Sequence, residues 1–199
     1  MTKILLKLPY ILTISALVVA GIIMISLDRE QRQIVEPPLD APIEVHITEA
    51  DKKVEKNVYS DAVPLSDGWQ CFIQDTCRRF HVPYELMLGV LETESDFDFE
   101  ADSGWAYGIA QIGYINADWL ADKGIDIYTP TGNITAGCMI LGEYLEQYDT
   151  PLALMCYNCG EYGAQDLWEE NITETEYSRS VMEAAEKWEV IINESKSEH

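Results

Sequence analysis

Between Glu92 and Asp102 the chain carries six carboxylates, Glu92, Glu94, Asp96, Asp98, Glu100 and Asp102, with no Lys or Arg among them. Negative neighbours disfavour ionisation, so a member of such a run can hold its proton near neutral pH. A carboxylic acid protonated at working pH is what glycosidic-bond cleavage requires, because the leaving oxygen must receive a proton as the bond breaks. The same run also fits a solvated acidic face or a weak calcium site, and taken alone it does not separate these readings.

Other residues of chemical interest follow in order. Glu94-Ser95 precedes Ser103-Gly104-Trp105-Ala106-Tyr107-Gly108-Ile109-Ala110-Gln111-Ile112, then Asn133-Ile134-Thr135-Ala136-Gly137, then Tyr157-Asn158-Cys159-Gly160. Gln111 offers both a donor and an acceptor to a polar ligand. Trp105 and Tyr107 fit either stacking on a sugar face or core packing. Gly108, Gly137 and Gly160 read as backbone requirements. Cys156 and Cys159 form a CxxC, but a closed zinc site wants four ligands. There is no second CxxC, and the three histidines (His46, His81, His199) are scattered. No metal and no cofactor is expected. Cys71 and Cys77 could bridge to each other or to a partner, and the odd total of five leaves a free thiol in a monomer.

The elements that must position these residues read as helices. Ser66-Asp67 caps a helix through Trp69, Phe72, Ile73 and Phe80; Pro83 opens a second one, Tyr84 to Glu94, with Leu86, Val90 and Leu91 on one side. Residues 95–114 turn acidic, then aromatic and glycine-bearing, as a loop with tight turns does. A short helix over Asn116 to Lys123, a clearer one over Ile134 to Tyr148, another opened by Pro151 and a long amphipathic one from Glu174 to Asn193 complete the chain. The fold class is mostly α.

The N-terminal part differs in kind. Residues 8–27 hold no charged side chain and have about the length that crosses a ~30 Å hydrocarbon core as a helix. Lys3 and Lys7 before it favour an inside N-terminus. A cleaved signal peptide is the competing reading, disfavoured by the long apolar run and the absence of an A-x-A ending before Asp28. From Asp28 to Val63 prolines sit among charges without a sustained apolar period, as in a disordered tether. The expected organisation is therefore a cytoplasmic stub and transmembrane anchor over 1–27, an extracytoplasmic linker over 28–63, and one domain over 64–199. A single-pass cell-membrane protein follows, or a secreted one if the leader is cleaved.

Composition narrows the partners. The chain has 13 Lys+Arg against 35 Asp+Glu, a net charge of −22. Nucleic acid is excluded as a partner, because its recognition depends on clustered Lys and Arg that displace counterions. Residues 64–199 alone carry six basic and 26 acidic residues, a net of −20. Anionic polymers are repelled from such a domain at long range.

Taken in order, the Glu-Ser pair, the Gly-Ile-Ala-Gln segment, the Asn-Ile-x-x-Gly helix start and the Tyr-Asn-x-Gly turn resemble the lytic transglycosylase domain. This is the lysozyme-like fold typified by soluble lytic murein transglycosylases. The resemblance covers roughly Trp69 to Trp188. Ala110 departs from the Met that many relatives carry, Cys156 and Cys159 stand at positions commonly Ala, and the loop from Glu94 to Gln111 is slightly compressed. The resemblance implies action on peptidoglycan glycan strands, at the β-1,4 bond between N-acetylmuramic acid and N-acetylglucosamine. It implies Glu94 as the single catalytic acid/base, giving a 1,6-anhydromuramoyl product. It also implies substrate-binding roles for Ser95, Ser103, Gln111, Tyr157 and Asn158, and a place in local wall remodelling or in opening a path for envelope-spanning machinery. Two alternatives remain: a hydrolytic muramidase of the same fold, with Asp96, Asp98 or Asp102 as its extra carboxylate, and a non-catalytic glycan-binding module.

Overall fold

The computed structural model describes residues 59–197. In chain order these hold α1 (Asp67–Arg79), α2 (Tyr84–Ser95), a two-stranded ribbon of β1 (Ala106–Tyr107) and β2 (Ile112–Gly113), a 3-10 turn (Tyr114–Asn116), α3 (Ala117–Asp122), α4 (Pro130–Leu145), α5 (Thr150–Glu169) and α6 (Glu176–Ser197). The ribbon is antiparallel, with Ala106 opposite Gly113 and Tyr107 opposite Ile112.

Local chemistry explains the boundaries. The acidic Asp67 in the first turn of α1 and Arg78 and Arg79 in its last complement the helix dipole. The Thr129 and Asp149 side chains accept from the N–H groups of Gly132 and Leu152, capping α4 and α5, and each helix has Pro within its first two positions. Gly160 has φ 74° and ψ 161°, a conformation only glycine takes without strain, and it breaks α5 into two helical pieces. The buried Gln70 side chain bonds the N–H and C=O of Ser60 and the C=O of Leu65, so residues 60–65 lie against α1.

α2 is the centre of the core. Leu86 through Leu91 are all buried, and Leu88, Val90 and Leu91 are wholly inaccessible. Burying a side chain of this kind stabilises the fold by roughly 1.5–3 kcal/mol. α6 packs directly on α2 through Val181, Trp188 and Ile192, and Trp188 meets Phe97 edge-on at 5.7 Å. The approach depends on Gly89: a Cβ there would stand 2.6 Å from the Val181 carbonyl oxygen and 3.0 Å from Ala185 N. A smaller cluster, Met155, Cys156 and Ala164 with Tyr148, Leu152 and Trp168, fills the bend of α5. The described cysteines form no disulfide. Cys77 faces Cys138, with their Sγ atoms 3.8 Å apart, and Cys71 lies beside Asp75.

The mostly helical class stands, but the expectation of a membrane-spanning helix is corrected. Among the described residues no helix is long and apolar enough to cross a membrane. α6 has the length, at 22 residues, yet charged side chains such as Arg179, Glu183, Glu186 and Lys187 interrupt it. Residues 8–27, on which the expectation rested, lie outside the described residues, as does the expected tether up to residue 58. The single-pass anchor, insertion into the cytoplasmic membrane and a cell-membrane localisation therefore have no support in the structure and are not carried further.

The contact of α2 with α6 can be tested at its closest point. Gly89→Ala is expected to lower unfolding stability by about 1–3 kcal/mol, because backbone atoms must move to admit the methyl group. Urea unfolding measures the loss; an unchanged midpoint contradicts the packing described.

Candidate active site

Glu94 is the penultimate residue of α2, and Ser95 is the last. Asp96 and Phe97 then turn the chain through positive φ (52° and 63°), which directs the acidic stretch away from the helix axis. The Ser95 hydroxyl lies 2.8 Å from the Ile109 carbonyl oxygen and 3.2 Å from that of Leu91, so it links the end of α2 to the loop carrying Gly108–Gln111.

That loop is held from α4 and α5. Buried Asn133, near the start of α4, accepts from Ala110 N at 2.8 Å and donates to the carbonyls of Tyr107 at 2.7 Å and Ile127 at 3.0 Å. Gly108 (φ 79°) makes room for it, since a Cβ there would stand 2.5 Å from the Asn133 amide. The Tyr157 hydroxyl of α5 donates to the Ala110 carbonyl at 2.8 Å. Gln111, itself at φ 44°, donates its side-chain amide to the carbonyls of Ala101 and Gly108. Its amide nitrogen therefore closes the loop.

Glu94 is partly buried, and its carboxylate accepts a 2.6 Å hydrogen bond from the Tyr177 hydroxyl of α6. Burial raises the Glu94 pKa above the ordinary carboxyl value, and the Tyr177 bond, favouring the charged form, pulls it partway back. The cause is thus desolvation rather than the neighbouring acids. Burial likewise raises the Tyr157 and Tyr177 hydroxyls, with the Glu94 charge as the next cause in each, so both phenols remain protonated donors.

Glu92, two residues away, has the opposite surroundings. Its carboxylate lies 2.5 Å from Lys187 Nζ and accepts from Trp188 Nε1 at 2.8 Å. A paired, partly exposed carboxylate and a desolvated one facing only a neutral donor suit different tasks. Glu92 ties α2 to α6, whereas Glu94 is desolvated and faces the Tyr177 hydroxyl. Asp102 accepts from Gly104 N and the Tyr114 hydroxyl, which hold its pKa below the ordinary value.

The six residues expected from sequence differ in how the structure holds them. Hydrogen bonds tie Ser95, Gln111 and Tyr157 to the loop beside Glu94. Ser103 is exposed at the ribbon, where its hydroxyl accepts from Ala106 N at 3.1 Å, and Asn158 is exposed on α5 just before the Gly160 break. Two polar contributors were not anticipated as site residues. Asn133 was legible only as part of a motif, and Tyr177 lies 83 positions from Glu94, where no local spacing points to it. Among the described residues no three His, Cys, Asp or Glu side chains converge to hold a metal ion. A cavity of about 680 Å³ lined by Phe72, Arg79, Lys123 and Met139 contains none of these groups.

Comparison with known proteins adds an independent finding. The family model described as the Transglycosylase SLT domain matches residues 70–179, which include every site residue named above. The fold is similar to that of the lytic transglycosylase Slt from Pseudomonas aeruginosa, solved by X-ray as an inactive mutant with glutamine in place of a glutamate. The TM-score is 0.56 and the identity 21%, over 66% of this chain and 25% of that one. This chain thus spans about a quarter of that protein's length. No curated sequence matches significantly.

The raised pKa of Glu94 has a measurable consequence. A carboxyl whose folded pKa exceeds its unfolded value leaves the fold at full stability below about pH 4.3 and costs stability as pH rises through the folded value. Glu94→Gln removes that cost while retaining an acceptor for Tyr177. Its thermal midpoint is expected to match wild type at pH 4 and to exceed it at pH 7–8, by about 0.5–2 kcal/mol in stability. Equal midpoints across the range would contradict a desolvated carboxyl.

Proposed function

Since the chain belongs to the Transglycosylase SLT domain family of lysozyme-like lytic transglycosylases, we propose that it cleaves the β-1,4 bond between N-acetylmuramic acid and N-acetylglucosamine in peptidoglycan, with Glu94 as its single acid/base and a 1,6-anhydromuramoyl end as product. The observation that carries this reading is the desolvated Glu94 carboxyl facing the Tyr177 hydroxyl.

The chemistry follows from that environment. Burial favours the protonated form of Glu94, and that proton passes to the glycosidic oxygen as the bond to C1 breaks. The resulting carboxylate is poorly solvated and therefore a good base; Tyr177 holds it in place by donating to it. It removes the proton from the muramoyl 6-hydroxyl while that oxygen closes onto C1. The nucleophile belongs to the substrate, so orientation replaces a second enzymic carboxylate. Of the candidate second carboxylates, Asp98 accepts from Glu100 N and Asp102 from Gly104 N and the Tyr114 hydroxyl, which lends the hydrolytic alternative no support. The inactivity of the glutamine mutant of the Pseudomonas aeruginosa enzyme is consistent with an essential glutamate in this fold.

Glu94→Gln is expected to slow peptidoglycan turnover by about 10²–10⁴-fold. Mass spectrometry of wild-type digests is expected to show muramoyl ends lighter by one water than hydrolysed ones; reducing ends instead would assign a hydrolase, and undiminished turnover by the variant would remove Glu94 from the mechanism. Tyr177→Phe deletes a bond that favours the charged carboxylate, so the pKa of Glu94 rises further. The pH–rate optimum of this variant is expected to move toward higher pH, with a lower maximum, in assays across pH 4–9.

A further inference from the structure

Two large apolar side chains stand out of the fold at one place. Trp105 is 83% exposed and Ile115 is 93% exposed. Both sit at the open end of the ribbon, where Tyr114 N donates to the Trp105 carbonyl at 2.9 Å beyond the Ala106–Gly113 pair. A tryptophan is seldom left this open, since its body is among the largest hydrophobic surfaces a chain has to bury.

The exposure comes from a built turn. Ser103 Oγ accepts from Ala106 N at 3.1 Å, Ser103 N donates to the Ala106 carbonyl at 3.2 Å, and Asp102 accepts from Gly104 N at 2.8 Å. Behind the ribbon, Tyr107 and Tyr114 both lie against the Tyr128 ring, at 5.5 and 6.3 Å. The indole is thus presented on a braced support. The loop that follows it is the one whose Ile109 and Ala110 carbonyls are bonded by Ser95 and Tyr157.

We propose that Trp105, with Ile115 beside it, is a stacking platform for the sugar rings of a glycan strand, extending the contact surface beyond the cleavage centre. The identity of the occupant rests on the peptidoglycan reading above; the platform itself rests on exposure and bracing. Charge selects this occupant. From Phe80 to Asp122 the chain has no Lys or Arg, and Glu100 and Asp102 accept from the hydroxyls of Tyr107 and Tyr114 in the same ribbon. Such a surface repels an anionic lipid headgroup, while a neutral pyranose offers a C–H face to the indole and hydroxyl donors to the carboxylates.

Binding in the Glu94→Gln background, where the polymer stays intact, tests the platform. Cosedimentation with purified peptidoglycan and calorimetry with the neutral tetramer of β-1,4-linked N-acetylglucosamine both report it. Adding Trp105→Ala is expected to weaken both about five- to tenfold, with Trp105→Phe restoring affinity to within about twofold. Tyr162→Ala, which removes another exposed aromatic ring, is expected to leave affinity unchanged. The thermal midpoint of Trp105→Ala is expected to stay at the parent value, so that lost binding cannot come from unfolding. Undiminished binding by Trp105→Ala overturns the proposal, as does a loss seen only with phosphatidylglycerol vesicles. A catalytic failure is distinguishable: wild type then releases no anhydro product, whatever Trp105 does to binding.

Discussion

The hydrogen bond from the Tyr177 hydroxyl to Glu94 joins the last long helix to the end of the helix at the centre of the core, and the surroundings of the Glu94 carboxyl depend on it. Without α6 the carboxyl would be open to water at a helix end, with an ordinary affinity for its proton. With α6 in place it loses solvent and gains one neutral donor. The two effects oppose each other, and burial is the larger.

The contact is accompanied by close packing of α6 along the preceding turns of α2. Gly89 lets the α6 backbone approach within van der Waals range of α2, and the Glu92–Lys187 pair with the Trp188 bond closes the same interface. Glu92 shows how strongly position governs a carboxylate's surroundings: same residue type, same helix, two residues apart, yet Glu92 meets Lys187 and Trp188 where Glu94 meets the Tyr177 hydroxyl.

The loop across the site is organised by polar groups as well as by hydrophobic burial. Ile109, Ala110 and Ile112 are inaccessible, yet what sets the loop's path is Asn133 spanning three backbone groups, with Ser95 and Tyr157 holding its carbonyls. A buried amide with all these partners specifies one conformation, since any shift leaves polar groups unpaired. Gly137 shares in this: a Cβ there would stand 2.9 Å from the Ala110 Cβ and 3.2 Å from the Tyr157 hydroxyl.

Apolar periodicity, Pro at helix starts and glycine-bearing loops made the helices legible in the sequence, because these signals act within a few residues of one another. The ordered motifs pointed to Glu94, Ser95, Ser103, Gln111, Tyr157 and Asn158 for the same reason. The apolar stretch at residues 8–27 was equally visible as a pattern, but the described structure holds no membrane-spanning helix. Which carboxylate loses its water, and why, was not legible: neighbouring charge was the expected cause, and burial by a helix more than 80 residues away is the operative one. Ser103 and Asn158, read from motif position, lie exposed, whereas Ser95, Gln111 and Tyr157 are hydrogen-bonded within the site loop. Local patterns determine which segments become helices and turns, whereas desolvation and partner choice are set by whatever distant element packs on a side chain, and only the tertiary structure decides that.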